Sequence, residues 1–194
     1  MSRFFRLIQR DNLVKHSFIA DKWDLKGFER KELYRGQALR GWPEGVSFIA
    51  STQEMAGDLD DFVVNDADVP LVTDRVVRLL STLKVPPFQA LQALAVWPSH
   101  RREAVFVLNF SALVPGLDLQ KTKFERYPKD FSDPDLRNRI WFTMAPVLIR
   151  KAVLGWDFFR CEEYPNHLFA SERFKHSFGS KGMTGVSFAP VQAS

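Results

Sequence analysis

The sequence predicts an α+β fold: mixed or antiparallel sheets with a few short helices, not a doubly wound parallel sheet. Three observations predict it. Short β-rich, aromatic runs occur at both ends and in the middle of the chain. The helical patterns are few and short. Strands and helices do not alternate in a regular βαβ order, as a doubly wound sheet requires.

The elements follow in order. "RFFRLIQR" (3–10) reads as a strand, apolar and flanked by charge, and "GVSFIAS" (45–51) and "DFVVN" (61–65) read likewise. The polar stretch "TQEMAGDLD" connects the last two. In "VTDRVVRLLSTLKVPP" Thr73 is suited to an N-cap and Asp74 to the first turn. Val76, Val77, Leu80 and Leu83 share one helical face, Lys84 closes the last turn, and Pro86 and Pro87 stop the helix. "FQALQALAVWP" (88–98) fits strand or helix, whereas "REAVFVLNFSAL" (102–113) is β-rich. The polar stretch that follows reads as loop, with one helical turn at Asp133-Pro134. Residues 139–164 suggest short strands separated by turns. "SERFKHSF" (171–178) is a short helix capped by Ser171, with Phe174 and Phe178 on one face, and "GVSFAPV" is a last strand.

Length allows a real core without staples, since a chain of 194 residues buries roughly 70% of its unfolded surface. The chain is expected to form one compact unit with two portions: 1–100, which holds an acidic segment, and 101–194. Phenylalanine is unusually frequent, at 18 residues. One cysteine, Cys161, excludes an internal disulfide and a cysteine-based zinc site, and fits a reducing compartment. The first residues lack the apolar core of a secretory signal, and no run is long enough to span a membrane, so a cytoplasmic location is expected.

Net charge is +4 but unevenly spread. Gly41 to Asp74 contain no lysine, arginine or histidine and carry eight acids, or −8. The rest of the chain sets 15 acids against 27 bases, or +12. Such asymmetry bears on partners and association rates, not on fold.

Most catalytic patterns fail on inspection. Gly179, Gly182 and Gly185, with Lys181 and Thr184, resemble a phosphate loop in composition only. Lys181 precedes Gly182, and a helix precedes the loop where a P-loop needs a strand, so the glycines read as a helix stop and a turn. The four histidines form no metal-ligand spacing, and no G-x-S-x-G is present. Glu162 and Glu163 would raise the Cys161 thiol pKa and make it a poor nucleophile. The pairs Asp60-Asp61 and Glu162-Glu163 point to opposite faces of an extended chain. No catalytic, cofactor-binding or metal-binding residue is expected.

Four blocks carry a family resemblance: Val107 to Asn109 with Leu117-Asp118, Asp157 to Arg160, Ala170 to Lys175, and Gly182 to Val191. In these the chain resembles an immunity-protein family, first catalogued as a domain of unknown function, whose members accompany toxins of polymorphic-toxin and type VI secretion systems. The resemblance is close in the C-terminal half and loose before it. It implies a non-enzymatic protein that binds a cognate toxin effector in a 1:1 complex, with a type VI secreted DNase as the leading candidate and no direct contact to nucleic acid or membrane. The alternative is a nucleic-acid-binding module that uses the basic remainder. Charge segregation, independently of the family, nominates Glu54, Asp58, Asp60, Asp61, Asp66 and Asp68 as partner contacts, with Trp42 and Met55 as apolar anchors.

Overall fold

The computed structural model describes residues 3–9, 17–132, 137 and 140–194; the expected turn at Asp133-Pro134 lies outside them. In chain order the strands are β1 (Phe4–Gln9), β2 (Ile19–Ala20), β3 (Lys22–Asp24), β4 (Ser47–Ile49), β5 (Phe62–Asn65), β6 (Leu71–Val72), β7 (Phe88–Val96) and β8 (Arg102–Phe110). They continue as β9 (Phe124–Arg126), β10 (Ile140–Phe142), β11 (Val147–Leu148), β12 (Phe158–Arg160), β13 (Leu168–Ser171) and β14 (Val186–Ala193). Among the described residues three short α-helices accompany them: α1 (Asp74–Leu80), α2 (Arg150–Val153) and α3 (Glu172–Ser180). The fold is α+β with mixed sheets.

One sheet has the strand order β2-β5-β6-β8-β7-β4-β3, another the order β11-β14-β1-β13-β12, and β9 pairs with β10. The long β7–β8 hairpin keeps register from Phe88 opposite Phe110 to Val96 opposite Arg102, so the ambiguous run at 88–98 is a strand. The residue 100/101 boundary falls in its turn. β1, from the start of the chain, is clamped between β13 and β14 from its end.

Strand alternation sorts the apolar residues into three cores. The pair Phe62-Val63 sends Phe62 to the core shared by both sheets and Val63 to the outer face of the larger sheet. Leu71-Val72 divides in the same way. Phe158-Phe159 divides between the shared core and a third core under α2. Sheets covered on both faces read as runs of consecutive apolar residues, which accounts for the phenylalanine content. Phe158 stacks on Phe174 with centroids 4.7 Å apart and a 21° interplanar angle, and Phe174 and Phe178 stack at 5.7 Å.

Three expectations need correction. Thr73 occupies the N-cap of α1, but its hydroxyl donates to Asp61 Oδ1 at 2.8 Å rather than accepting from the helix. The helix also stops at Leu80, before Lys84. The Lys84 backbone pairs instead with Asp157: its N–H donates to Asp157 Oδ2 at 3.0 Å and its carbonyl accepts from Asp157 N at 2.7 Å. The stretch 139–164 includes one helical turn, α2, which seats Val153 in the third core.

The glycines near the end act as stops and spacers. Gly182 adopts φ +60° and terminates α3, where Met183 N–H donates back to the Phe178 carbonyl at 3.2 Å. Gly185, at φ +97°, crosses the Asp60–Phe62 backbone so closely that an added Cβ would lie 2.0 Å from the Phe62 carbonyl oxygen. Ser171 caps α3 as its sequence suggests, accepting from Phe174 N–H at 3.2 Å.

Candidate interaction surface

Several polar residues of the four blocks work inside the molecule. Asn109, fully buried on β8, donates to the Gln37 carbonyl at 2.9 Å and to Gln89 Oε1 at 2.8 Å. Asp118 accepts from Gln120 and Lys121 N–H in its own turn and from the Ser194 hydroxyl at 3.1 Å. Asp157 accepts from Ser171 Oγ at 2.8 Å, so one carboxylate fixes both the α3 cap and the end of the α1 segment. Arg160 is 1% exposed; it donates to the Leu33 carbonyl at 3.1 Å and its guanidinium lies 4.9 Å from the Tyr34 ring centroid. Burial pulls its pKa below the ordinary guanidinium value.

None of these groups forms a catalytic arrangement. Cys161 is buried, and desolvation, then the charge of Glu163, pushes its thiol well above the usual range. His167 packs against Phe142 and Tyr164, and burial, helped by the charges of Arg6 and Arg160, lowers its pKa to about 3. Among the described residues no group of three or more histidine, cysteine or acidic side chains could hold a metal ion.

The acidic segment does not form a single face. Asp60 and Asp61 are buried, so neither offers its carboxylate to a partner. Asp61 is a junction within the fold. Its carboxylate accepts from Thr73 Oγ1, from Arg75 at 2.9 Å and from Thr184 N–H at 3.1 Å, and its carbonyl accepts from Thr73 N–H. Asp74 pairs with Arg78. Asp68 is exposed as a residue, yet desolvation raises its carboxyl pKa against the opposing charges of Arg30 and Arg160. Basic residues from outside the segment thus pair with two of its eight acids, Asp61 and Asp74.

Glu54, Asp58 and Asp66 remain exposed and form no ion pair among the described residues. Two backbone links gather them around β2. Phe18 N–H donates to the Asp58 carbonyl at 2.8 Å, and Asp66 N–H donates to the Ala20 carbonyl at 3.0 Å. Glu54 and half-buried Met55 occupy a 3-10 turn, Gln53–Met55, just before Asp58. The Trp97 indole N–H secures that loop by donating to the Gly57 carbonyl at 3.1 Å.

Trp42 lies elsewhere. It is half-buried beside Glu44 in a groove against Gln92–Leu94, its indole N–H donates to the Gln92 carbonyl at 2.8 Å, and its ring meets Phe28 edge-on at 5.0 Å. β4 and β7 run parallel from Ser47 opposite Leu94 to Ile49 opposite Val96. Trp42 and Glu44 therefore sit at one end of that pairing, and the loop of Glu54 to Asp58 at the other. Sequence reasoning missed Trp23, which is 41% exposed on the edge strand β3 between Lys22 and Asp24. Its only sequence signal was an aromatic residue flanked by opposite charges.

Residues 7–193 match the model of a family described as Immunity protein family (Imm11). The match includes the acidic segment as well as the C-terminal blocks. No curated protein matches the chain.

Proposed function

The chain belongs to the immunity protein family Imm11, whose members counter cognate toxins, and from that premise we propose that its toxin is a nuclease, specifically a type VI secreted DNase. The protein acts by binding rather than by chemistry. It forms a 1:1 complex in the cytoplasm and occludes the active site or DNA-binding face of the enzyme. The observation that carries this reading is the cluster Glu54, Asp58 and Asp66 around β2: three exposed carboxylates without ion pairs among the described residues. A nuclease face is built to attract phosphate, and carboxylates on a fixed scaffold meet it with complementary charge, which speeds encounter and sets orientation. Met55 and Asp68 flank this cluster. Trp42, with Glu44, provides a second contact region at the far end of the β4–β7 pairing.

Tagged protein expressed in its native host, purified and stripped of nucleic acid, tests this directly. The expected result is a stoichiometric protein partner whose DNase activity appears on denaturing separation and refolding, and vanishes when the protein is added back. A partner with no nuclease activity would remove the DNase assignment. Retention of DNA alone, with affinity falling steeply with salt, would favour a nucleic-acid-binding module instead.

A further inference from the structure

A second charged surface lies on the smaller sheet. A groove of about 840 Å³ runs beside the start of β1 and the end of β14, and Arg3, Lys121, Arg150 and Lys175 line it. Phe5, Val147 and Pro190 line it too, and among the described residues no acidic side chain does. The four cations come from separate parts of the chain: the lead into β1, the turn after Asp118, α2, and α3.

Two of these cations are committed. The Arg150 guanidinium donates to the Ala193 carbonyl at 3.1 Å and its backbone N–H to Ser194 O at 2.8 Å, which fixes it to the end of β14. Lys121 pairs with Asp118 at 3.4 Å. Arg3 and Lys175 differ: Arg3 is exposed, and neither forms an ion pair among the described residues. The Lys175 ammonium rests 4.2 Å over the Phe5 ring. Like charges gathered in one concavity repel each other, and an anion seated between them relieves that repulsion.

We propose that this groove receives an extended acidic segment of the toxin, in which carboxylates meet Arg3 and Lys175 and alternate apolar side chains rest on Val147 and Pro190. The assignment rests on the immunity reading above. An extended chain alternates its side chains, so carboxylates at every second position can meet cations on one side while apolar side chains face Val147 and Pro190 on the other. A single-stranded nucleic acid fits less well, because it requires exposed rings for stacking, and Phe4 and Phe5 are 2% and 4% exposed. The toxin would thus meet the protein through two surfaces of opposite charge, which fixes its orientation more tightly than either surface alone.

The test uses the full chain and fluorescence anisotropy with three labelled probes: a decapeptide of alternating glutamate and valine, its glutamine-valine counterpart, and a dodecamer of thymidine. The glutamate peptide should bind, and salt should weaken it. The double variant Arg3→Glu/Lys175→Glu should lower affinity about tenfold or more, since each reversal replaces an attraction with a repulsion. Arg3→Glu alone, at an exposed position, should give a smaller loss with the fold intact. No peptide binding, equal binding of the glutamine peptide, indifference to the variants, or tighter binding of the oligonucleotide would each overturn the proposal. A concentration-dependent dimer that the peptide dissociates would overturn it in favour of a second copy as occupant. Protection of cells from the toxin is read separately. If wild-type protein protects while the peptide fails to bind, only the groove assignment falls. If the peptide binds but no toxin is countered, the groove stands only as an acidic-peptide site, and both the toxin as its occupant and the immunity reading fall.

Discussion

The signature blocks of the C-terminal half and the acidic segment of the N-terminal half both carry charged residues, but they use them in opposite ways. Asp157, Arg160 and Asn109 are buried and hydrogen-bond other groups of the protein. Glu54, Asp58 and Asp66 are exposed and make no ion pairs among the described residues. The comparison suggests a division of labour. Asp157, Arg160 and Asn109 hold the scaffold, and under the proposed function the acids that meet a toxin are carried where internal structure demands little of the side chain. The same contrast separates neighbours within the acidic segment, since Asp61 is a buried junction and Asp58, three residues earlier, is not.

The largest expected effect tests the join between the two regions. Gly185→Ala places a Cβ against the Phe62 carbonyl at a left-handed backbone position, and should cost about 3–5 kcal/mol in denaturant unfolding. A loss under about 1 kcal/mol would mean that the C-terminal loop shifts freely over the acidic segment, and the join would not be rigid. Next in size is Asp61→Ala, which strands the Thr184 N–H and the Thr73 hydroxyl; about 2–4 kcal/mol is expected from the same measurement. If Asp61→Ala proved as mild as a surface change, the contrast with Asp58 would collapse.

The two regions differ in how far the sequence reveals them. Short apolar, β-rich runs exposed β1, β5 and β8, and Ser171 marked α3 through its own local bond. The two-residue strands β2 and β6 were invisible because they exist only through partners brought from afar. The run at 88–98 was undecided because its apolar spacing fits both periods, and the pairing with β8 settles it. Residues Asp60 and Asp61 looked like surface acids for a similar reason. The groups that bury and bond Asp61 lie 12, 14 and 123 positions away. The basic groove left no trace in the sequence, since its four cations are scattered from Arg3 to Lys175.

A smaller effect depends on pH. The folded protein keeps His167 neutral down to about pH 3, whereas the unfolded chain protonates it near 6.5. The unfolded state therefore binds more protons across that window. Stability falls as pH drops from 6.5 toward 3, by at most about 1.4 kcal/mol per unit from this residue. His167→Phe, which fits the aromatic surroundings of Phe142 and Tyr164, should flatten the slope of stability against pH; an unchanged slope would assign the acid sensitivity to other groups. The smallest effect is expected from Glu54→Ala and Asp58→Ala, each within about 0.5 kcal/mol of wild type. A larger loss would show that these carboxylates serve the fold after all.

The most direct test of this division of labour is the association rate of the purified protein with its cognate toxin, measured by stopped flow across a range of salt concentrations for wild type and for Glu54→Lys/Asp58→Lys/Asp66→Lys. The account predicts that the triple variant keeps its unfolding midpoint while its association rate falls about tenfold or more at low salt and converges on wild type at high salt. An unchanged rate in a folded variant would contradict it and place the toxin on another surface of the protein.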